Sequence, residues 1–231
     1  MAISVRPLAD SSALAGHHPV GASTGYMVDS RGDWPAQVDE AWEVSPFAVE
    51  LSALAEDELD GLSGYLAAGP RLPFRYLSVH GPSKKRAMSE AELVEKLVGL
   101  APLVDAIVMH PDTITDPVPY RRLGRKLLVE NMDSRKLDGR TVDELRSWFG
   151  ELPEAGFCFD LAHAWSIDEG MSVGWDLLDA FRGRLRHLHV SSLSDELHHI
   201  PLTEEHEELF APLLERCRDV PWILEAPLRD L

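Results

Sequence analysis

The stretch "TVDELRSWFGELPEAGFCFDLAHAW", residues 141–165, decides the reading of the fold. Thr141 with Glu144 three residues on is a capping box, which opens a helix by satisfying two orphan N–H groups reciprocally. The amphipathic segment gives way to an aromatic-rich, strand-like run, "GFCFD", that stops at Asp160 with His163 three residues later. An acid and an imidazole where a buried strand stops either cap a turn or hold something at the strand's end.

The same unit recurs along the chain. Eight short runs rich in β-branched or aromatic residues can be read: "PVGAST" (19–24), "FAVELSA" (47–53), "FRYLSVH" (74–80), "VDAIVMH" (104–110), "KLLVEN" (126–131), "GFCFDLA" (156–162), "LRHLHVS" (185–191) and "VPWILEA" (220–226). Helix patterns lie between them. "SEAELVEKLVGLAPL" starts with Ser89 as N-cap and acids in its first turn, and "TEEHEELFAPLLERC" starts after Thr203 and runs toward Arg216 and Arg218. The segment 25–46, with Trp34 and Trp42, is expected to hold an extended loop and the first helix. Strand and helix alternating about every 30 residues indicate βαβ units and a parallel sheet. Eight units in one undivided chain favour a closed α/β barrel, a (β/α)8 TIM barrel forming a single domain over 1–231. The sequence runs five residues past Ala226, so the barrel is expected to lack its final helix, and the first 18 residues are expected to cover part of the barrel's bottom.

Composition narrows the function. No apolar stretch approaches the ~18 residues of a membrane span, and the N-terminus lacks the basic and apolar regions of a signal peptide. Cys158 and Cys217 are too few for a disulfide framework, which fits a reduced cytoplasmic protein. Net charge is −17, with 39 acids against 22 Lys and Arg, the wrong sign for a duplex-DNA binder that must displace counterions. A small anionic substrate stays open. The cluster Ser83-Lys84-Lys85-Arg86 either serves a phosphate or is a solvated lead-in to the next helix.

Six of the eight runs end in a possible metal ligand: His80, His110, Glu130, Asp160, His189 and Glu225. Barrels build their active sites at strand C-termini. Alternation puts His110 on the face of Val108 and Ala106, Asp160 on that of Cys158, and Glu225 on that of Ile223, as inward-facing stacks require. Each residue alone reads as a turn residue, core residue or helix cap. Their joint occurrence, 30, 20, 30, 29 and 36 residues apart, points to a divalent metal, with Zn, Mn or Fe suiting imidazoles and carboxylates. His187, two residues before His189, reads as a hydrogen-bonded histidine one layer down rather than a ligand, and His17, His18 and His206 as surface or loop residues.

"ENMD", "DLAHAW", "HLHVSS" and "ILEAP" resemble, in order, strand-end motifs of the xylose isomerase-like superfamily, which includes sugar isomerases and epimerases and endonuclease IV. The resemblance implies a central metal held by Glu130, Asp160, His189 and Glu225. Its endonuclease branch implies a second ion at His80 and His110, bridged by Glu130, and a third at His163 with a later Asp-x-His. "HHIPL" resembles that later segment and assigns His199, but Leu197 stands where the acid belongs, which leaves Asp195, paired with His198 or His199, as a looser candidate. One to three ions are therefore expected. Lys84 and Trp165 are the candidates for touching substrate.

Two chemistries compete, with a degenerate metal- or partner-binding barrel as a third reading. One is an isomerase or epimerase of a small sugar, polyol or related hydroxy-carbonyl compound, with Glu130 and Glu225 passing a proton between carbons. The other is an endonuclease IV-like multinuclear metalloenzyme, hydrolysing a small phosphodiester rather than DNA. The acidic charge leans toward the isomerase, although Asp195 stands where epimerases of this kind carry an Arg, and His80 and His110 exceed what that chemistry needs. No nucleic-acid or membrane partner is expected. A flank left bare by the missing helix would favour a homodimer.

Overall fold

The computed structural model describes residues 19–84 and 86–228. Eight parallel strands close into a barrel: β1 (Val20–Ser23), β2 (Ala48–Ser52), β3 (Tyr76–His80), β4 (Ala106–Met109), β5 (Leu127–Glu130), β6 (Gly156–Asp160), β7 (Leu185–Val190) and β10 (Trp222–Leu224). A two-stranded antiparallel hairpin, β8 (Ser192–Leu193) and β9 (His199–Ile200), rises from the end of β7. β1 closes the ring between β10 and β2. At the closure Gly21 is required by space, because a Cβ there would lie 2.6 Å from both the Cβ and the carbonyl oxygen of Ala48.

The helices are α1 (Trp34–Val44), α2 (Glu58–Ala67), α3 (Glu90–Leu100), α4 (Val142–Glu151), α5 (Leu161–Ile167), α6 (Ser172–Phe181) and α7 (Glu204–Glu215). Thr141–Glu144 forms the expected capping box, Ser89, expected as an N-cap, forms a second one with Glu92, and the Thr203 hydroxyl accepts from the His206 N–H. One connection departs from the pattern. Between β4 and β5 the chain forms short 3-10 turns, Pro111–Thr113 and Pro119–Lys126, the latter kinked at Gly124. Pro111, Pro117 and Pro119 within nine residues break any α-helix there. Among the described residues no helix follows β10, as expected, and no helix is long and apolar enough to cross a membrane. The segment 1–18 and its two histidines lie outside the described residues.

Alternation sorts the strand residues into two cores. Val49, Ile107, Val129, Phe157 and Phe159 face outward and pack with the helices' Leu93, Leu97, Leu145, Phe149 and Phe210. Ala106, Val108, Leu128 and Cys158, with Tyr76 against them, fill the barrel's lower interior. The phase on β7 depends on an irregularity. Phe157 pairs with Leu185, but Cys158 pairs with His187, so Arg186 is passed over and bulges outward, exposed. That extra residue puts His187 beside Cys158 and His189 beside Asp160, turning both imidazoles into the barrel. Cys158 and Cys217 are buried free thiols.

Candidate metal centre

The six strand-end residues converge on the C-terminal mouth of the barrel. His80 ends β3, Glu130 ends β5, Asp160 ends β6, and His189 sits one residue before the end of β7. His110 and Glu225 follow β4 and β10 directly. The nitrogens and oxygens fall into groups in which every donor atom lies within 4.8 Å of the others: His80, His110 and Glu130; Glu130, Asp160, His189 and Glu225; Asp160, His163 and His199.

The first group is tight. His80 Nε2 and His110 Nε2 face each other at 3.1 Å, and each lies 3.3 Å from Glu130 Oε2. His80 Nδ1 is tied to the Gly81 carbonyl at 2.8 Å, which aims Nε2 into the group. The second group shares Glu130 through its other oxygen. Oε1 lies 3.3 Å from His189 Nδ1, which is also 3.3 Å from Glu225 Oε1 and 4.0 Å from Asp160 Oδ2. Glu130 thus stands between the two groups with one oxygen in each, and it is almost wholly buried.

Asp160 satisfies both readings of its strand end at once. Its Oδ1 caps α5 by accepting from the His163 N–H at 2.6 Å, and its Oδ2 remains without a hydrogen bond. Asn131 fixes the corner: its side chain donates to the Asp160 carbonyl and accepts from the Asp160 N–H, while its own carbonyl lies 2.8 Å from His163 Nδ1. His199 comes from the β8–β9 hairpin, held by the Ser191 hydroxyl at 2.7 Å and 3.3 Å from Glu225 Oε2. This third group borrows Asp160, the acid already used by the second. Asp195 and His198 are exposed at the hairpin tip, and Leu197 takes a left-handed conformation, φ 58°, that turns the hairpin.

The remaining sequence candidates behave differently. Lys84 is exposed, with its backbone N–H on the Leu54 carbonyl. Arg86 is committed to Glu56, Glu90 and the Thr113 carbonyl, so it offers no free guanidinium to a phosphate. Lys85 lies outside the described residues. Trp165 packs on His206, ring centroids 4.4 Å apart. His206 is not a surface residue: it is buried, bonded to the Ser192 hydroxyl at 2.8 Å and stacked on Phe210. Sequence reasoning missed Glu50, an acid in the middle of an otherwise apolar β2, which lies fully buried 3.1 Å from His189 Nε2. A charged residue interrupting "FAVELSA" was the available signal.

The charge balance within the cluster shows what the donors lack. Burial would raise the Glu130 carboxyl, but His189, His110 and His163 hold it well below the carboxylate range. Burial, with Asp160 and Glu130 nearby, pushes Glu225 well above it. Burial would lower His163, yet Asp160, Glu130 and Glu225 carry it up to about 10. Burial and His163 bring His199 down to about 4. The acids thus lean on protons, held by His163 and favoured on His189 and Glu225, a role a divalent cation fills better once those protons leave. Buried atoms without a hydrogen bond cluster in the same place, Asp160 Oδ2, His189 Nδ1 and Glu225 Oε2, with Glu50 Oε1, His187 Nε2 and His189 Nε2 in the layer below. Orphaned lone pairs of this kind, converging from several strands' ends, fit a metal ion.

No protein-family model matches the chain, and no curated protein sequence matches it. Solved structures do. Endonuclease IV from Thermus thermophilus is 22% identical with a TM-score of 0.56, the match covering 91% of this chain and 93% of that one. The 3-keto-D-glucoside 4-epimerase of E. coli is 14% identical with a TM-score of 0.57, covering 92% and 93%. A xylose isomerase-like TIM barrel protein from Mycobacterium smegmatis, in complex with magnesium, is 13% identical with a TM-score of 0.54, covering 90% of each chain. At these identities the likeness shows the fold alone, an α/β TIM barrel.

Proposed function

We propose that this chain is a multinuclear metal enzyme that hydrolyses a phosphoester of a small molecule. The observation that carries the reading is Glu130, with Oε2 in a group with His80 and His110 and Oε1 in a group with Asp160, His189 and Glu225. His80, His110 and Glu130 would hold one ion, and Glu130, Asp160, His189 and Glu225 a second. The His163–His199 group shares Asp160, whose Oδ1 already caps α5, and so ranks behind the other two. Bound there, Zn, Mn or Fe would supply Lewis acidity and lower the pKa of water. The chain's own part is to hold Glu130 between the two groups, to fix Asp160 and His163 through Asn131, and to aim His80 through Gly81. A net charge of −17 repels the polyanionic backbone of DNA and leaves a small ester as the substrate class.

A second reading is an isomerase or epimerase. Its support is that Glu130, Asp160, His189 and Glu225 already form a four-donor set for one ion, with two carboxyls available to move a proton between adjacent carbons. Metal analysis and two assays separate the readings. We expect two or more ions per chain, turnover of bis-p-nitrophenyl phosphate, and no exchange of substrate C–H for deuterium with ketoses in D2O. One ion per chain with C–H exchange and no phosphoester turnover would overturn the hydrolase in favour of the isomerase.

A further inference from the structure

Below the mouth lies a buried acid to which the centre assigns no role. Glu50, midway along β2, is fully buried, and no Lys or Arg pairs with it among the described residues. A carboxylate in such a place is costly unless it is bound on several sides. The Ser78 hydroxyl donates to its Oε2 at 2.9 Å, and His187 Nε2 lies 3.6 Å from the same oxygen. Its Oε1 lies 3.1 Å from His189 Nε2. The opposite nitrogen of that ring, Nδ1, is the one that faces Glu130 and Glu225.

We infer that Glu50 is the positioning residue that keeps the His189 ring turned with Nδ1 toward the ions. The inference rests on the reading of the mouth as a metal centre. An imidazole offers a cation one lone pair only when its proton sits on the other nitrogen, and the carboxylate 3.1 Å from Nε2 favours the proton there by charge, the contact being an ion pair rather than an aligned hydrogen bond. The neighbours lock the arrangement. His187 stacks beneath His189 with centroids 5.2 Å apart and planes at 24°, and His187 Nδ1 is fixed by the Tyr76 hydroxyl at 2.8 Å. Ser78, Glu50 and His187, with the half-buried Tyr76, form a polar layer whose upper side is the His189 ring.

The test is Zn2+ affinity of the full chain, stripped of metal and titrated against a chromophoric chelator, with circular dichroism confirming the fold of each variant. Glu50→Gln is expected to bind one ion about 10- to 100-fold more weakly than the unmodified chain. Glu50→Asp, which keeps a carboxylate, is expected to retain more affinity than Glu50→Gln and serves should the amide variant not fold. Cys158→Ser is the contrast, since the thiol lies beside His187 and His189 without belonging to the mouth; its affinity is expected to be unchanged. Unaltered affinity in both Glu50 variants overturns the positioning role while leaving the metal centre standing. A loss in Cys158→Ser larger than in Glu50→Gln would place an ion among Cys158, His187 and His189 and overturn it as well. An unmodified chain that binds no Zn2+ refutes the metal centre itself, and the inference with it.

Discussion

Replacing Glu130 by Gln tests the centre at its most connected atom pair. Four imidazole nitrogens, of His80, His110, His163 and His189, stand 3.3 Å from its two oxygens, two on each. An amide has one oxygen to offer. Whichever way it turns, one group of donors meets an NH2 that cannot bind a cation. One ion should therefore be lost and the other weakened. At free metal of ~100 times Kd each ion contributes about 2.7 kcal/mol of stability. For a chain of this size 1 kcal/mol moves Tm by about 2–4 °C. Loss of one ion should thus shrink the metal-induced rise in Tm by about 5–11 °C. Scanning calorimetry with and without Zn2+, each variant against its own metal-free form, removes any change in intrinsic stability from the comparison. A Glu130→Gln variant with undiminished stoichiometry and the full metal-induced rise would refute the bridging assignment.

Metal uptake should release protons at pH 8, because His163, with a pKa near 10, must give its proton up, and the raised His189 and Glu225 act in the same direction; calorimetric binding enthalpies that do not vary with the ionisation enthalpy of the buffer would contradict this. Burial holds His187 neutral, down to about 3 from 6.5, so the unfolded chain takes a proton that the folded one refuses. His199, down to about 4, acts in the same sense and the raised Glu225 in the opposite one, so His187→Gln should lessen the share of urea-derived stability lost as pH falls from 6.5 to 4.5 without abolishing the dependence. Gly21→Ala should cost about 1–3 kcal/mol by forcing β1 away from Ala48; chemical denaturation showing no loss would mean the closure is looser than the 2.6 Å approach implies. Phe157→Ala, emptying a fully buried site against Phe149, Phe159 and Phe181, should cost about 3–5 kcal/mol in the same assay.

The barrel was legible because its signals are local and repeated. Alternation and turn chemistry marked all eight strands, and an N-cap at Ser89 and a capping box at Thr141 marked two helix starts. The connection from β4 to β5 broke the rhythm where three prolines crowd nine residues, a local cause that local reading can recover. Six donors were legible for a related reason. Strand C-termini of a barrel all meet at one mouth, so position along each strand stands in for position in space. Asp160 shows the limit, since its N-cap and donor readings seemed exclusive and its two oxygens take one each.

What the sequence determined by itself, then, was the barrel and the convergence of His80, His110, Glu130, Asp160, His189 and Glu225 on its mouth. The resemblance implied how those donors divide, and the tertiary structure decided which atoms carry the division. The split of Glu130 between two groups is set by which oxygen each imidazole faces, a distance no spacing encodes. The inward phase of His187 and His189 depends on a bulge at Arg186 that exists only in the pairing of β6 with β7. Glu50 joins the site because β2 lies across the barrel from β7, so an acid 139 residues from His189 in sequence comes within 3.1 Å of it. Periodicity says which way a side chain points, and only the closed barrel says what it meets there.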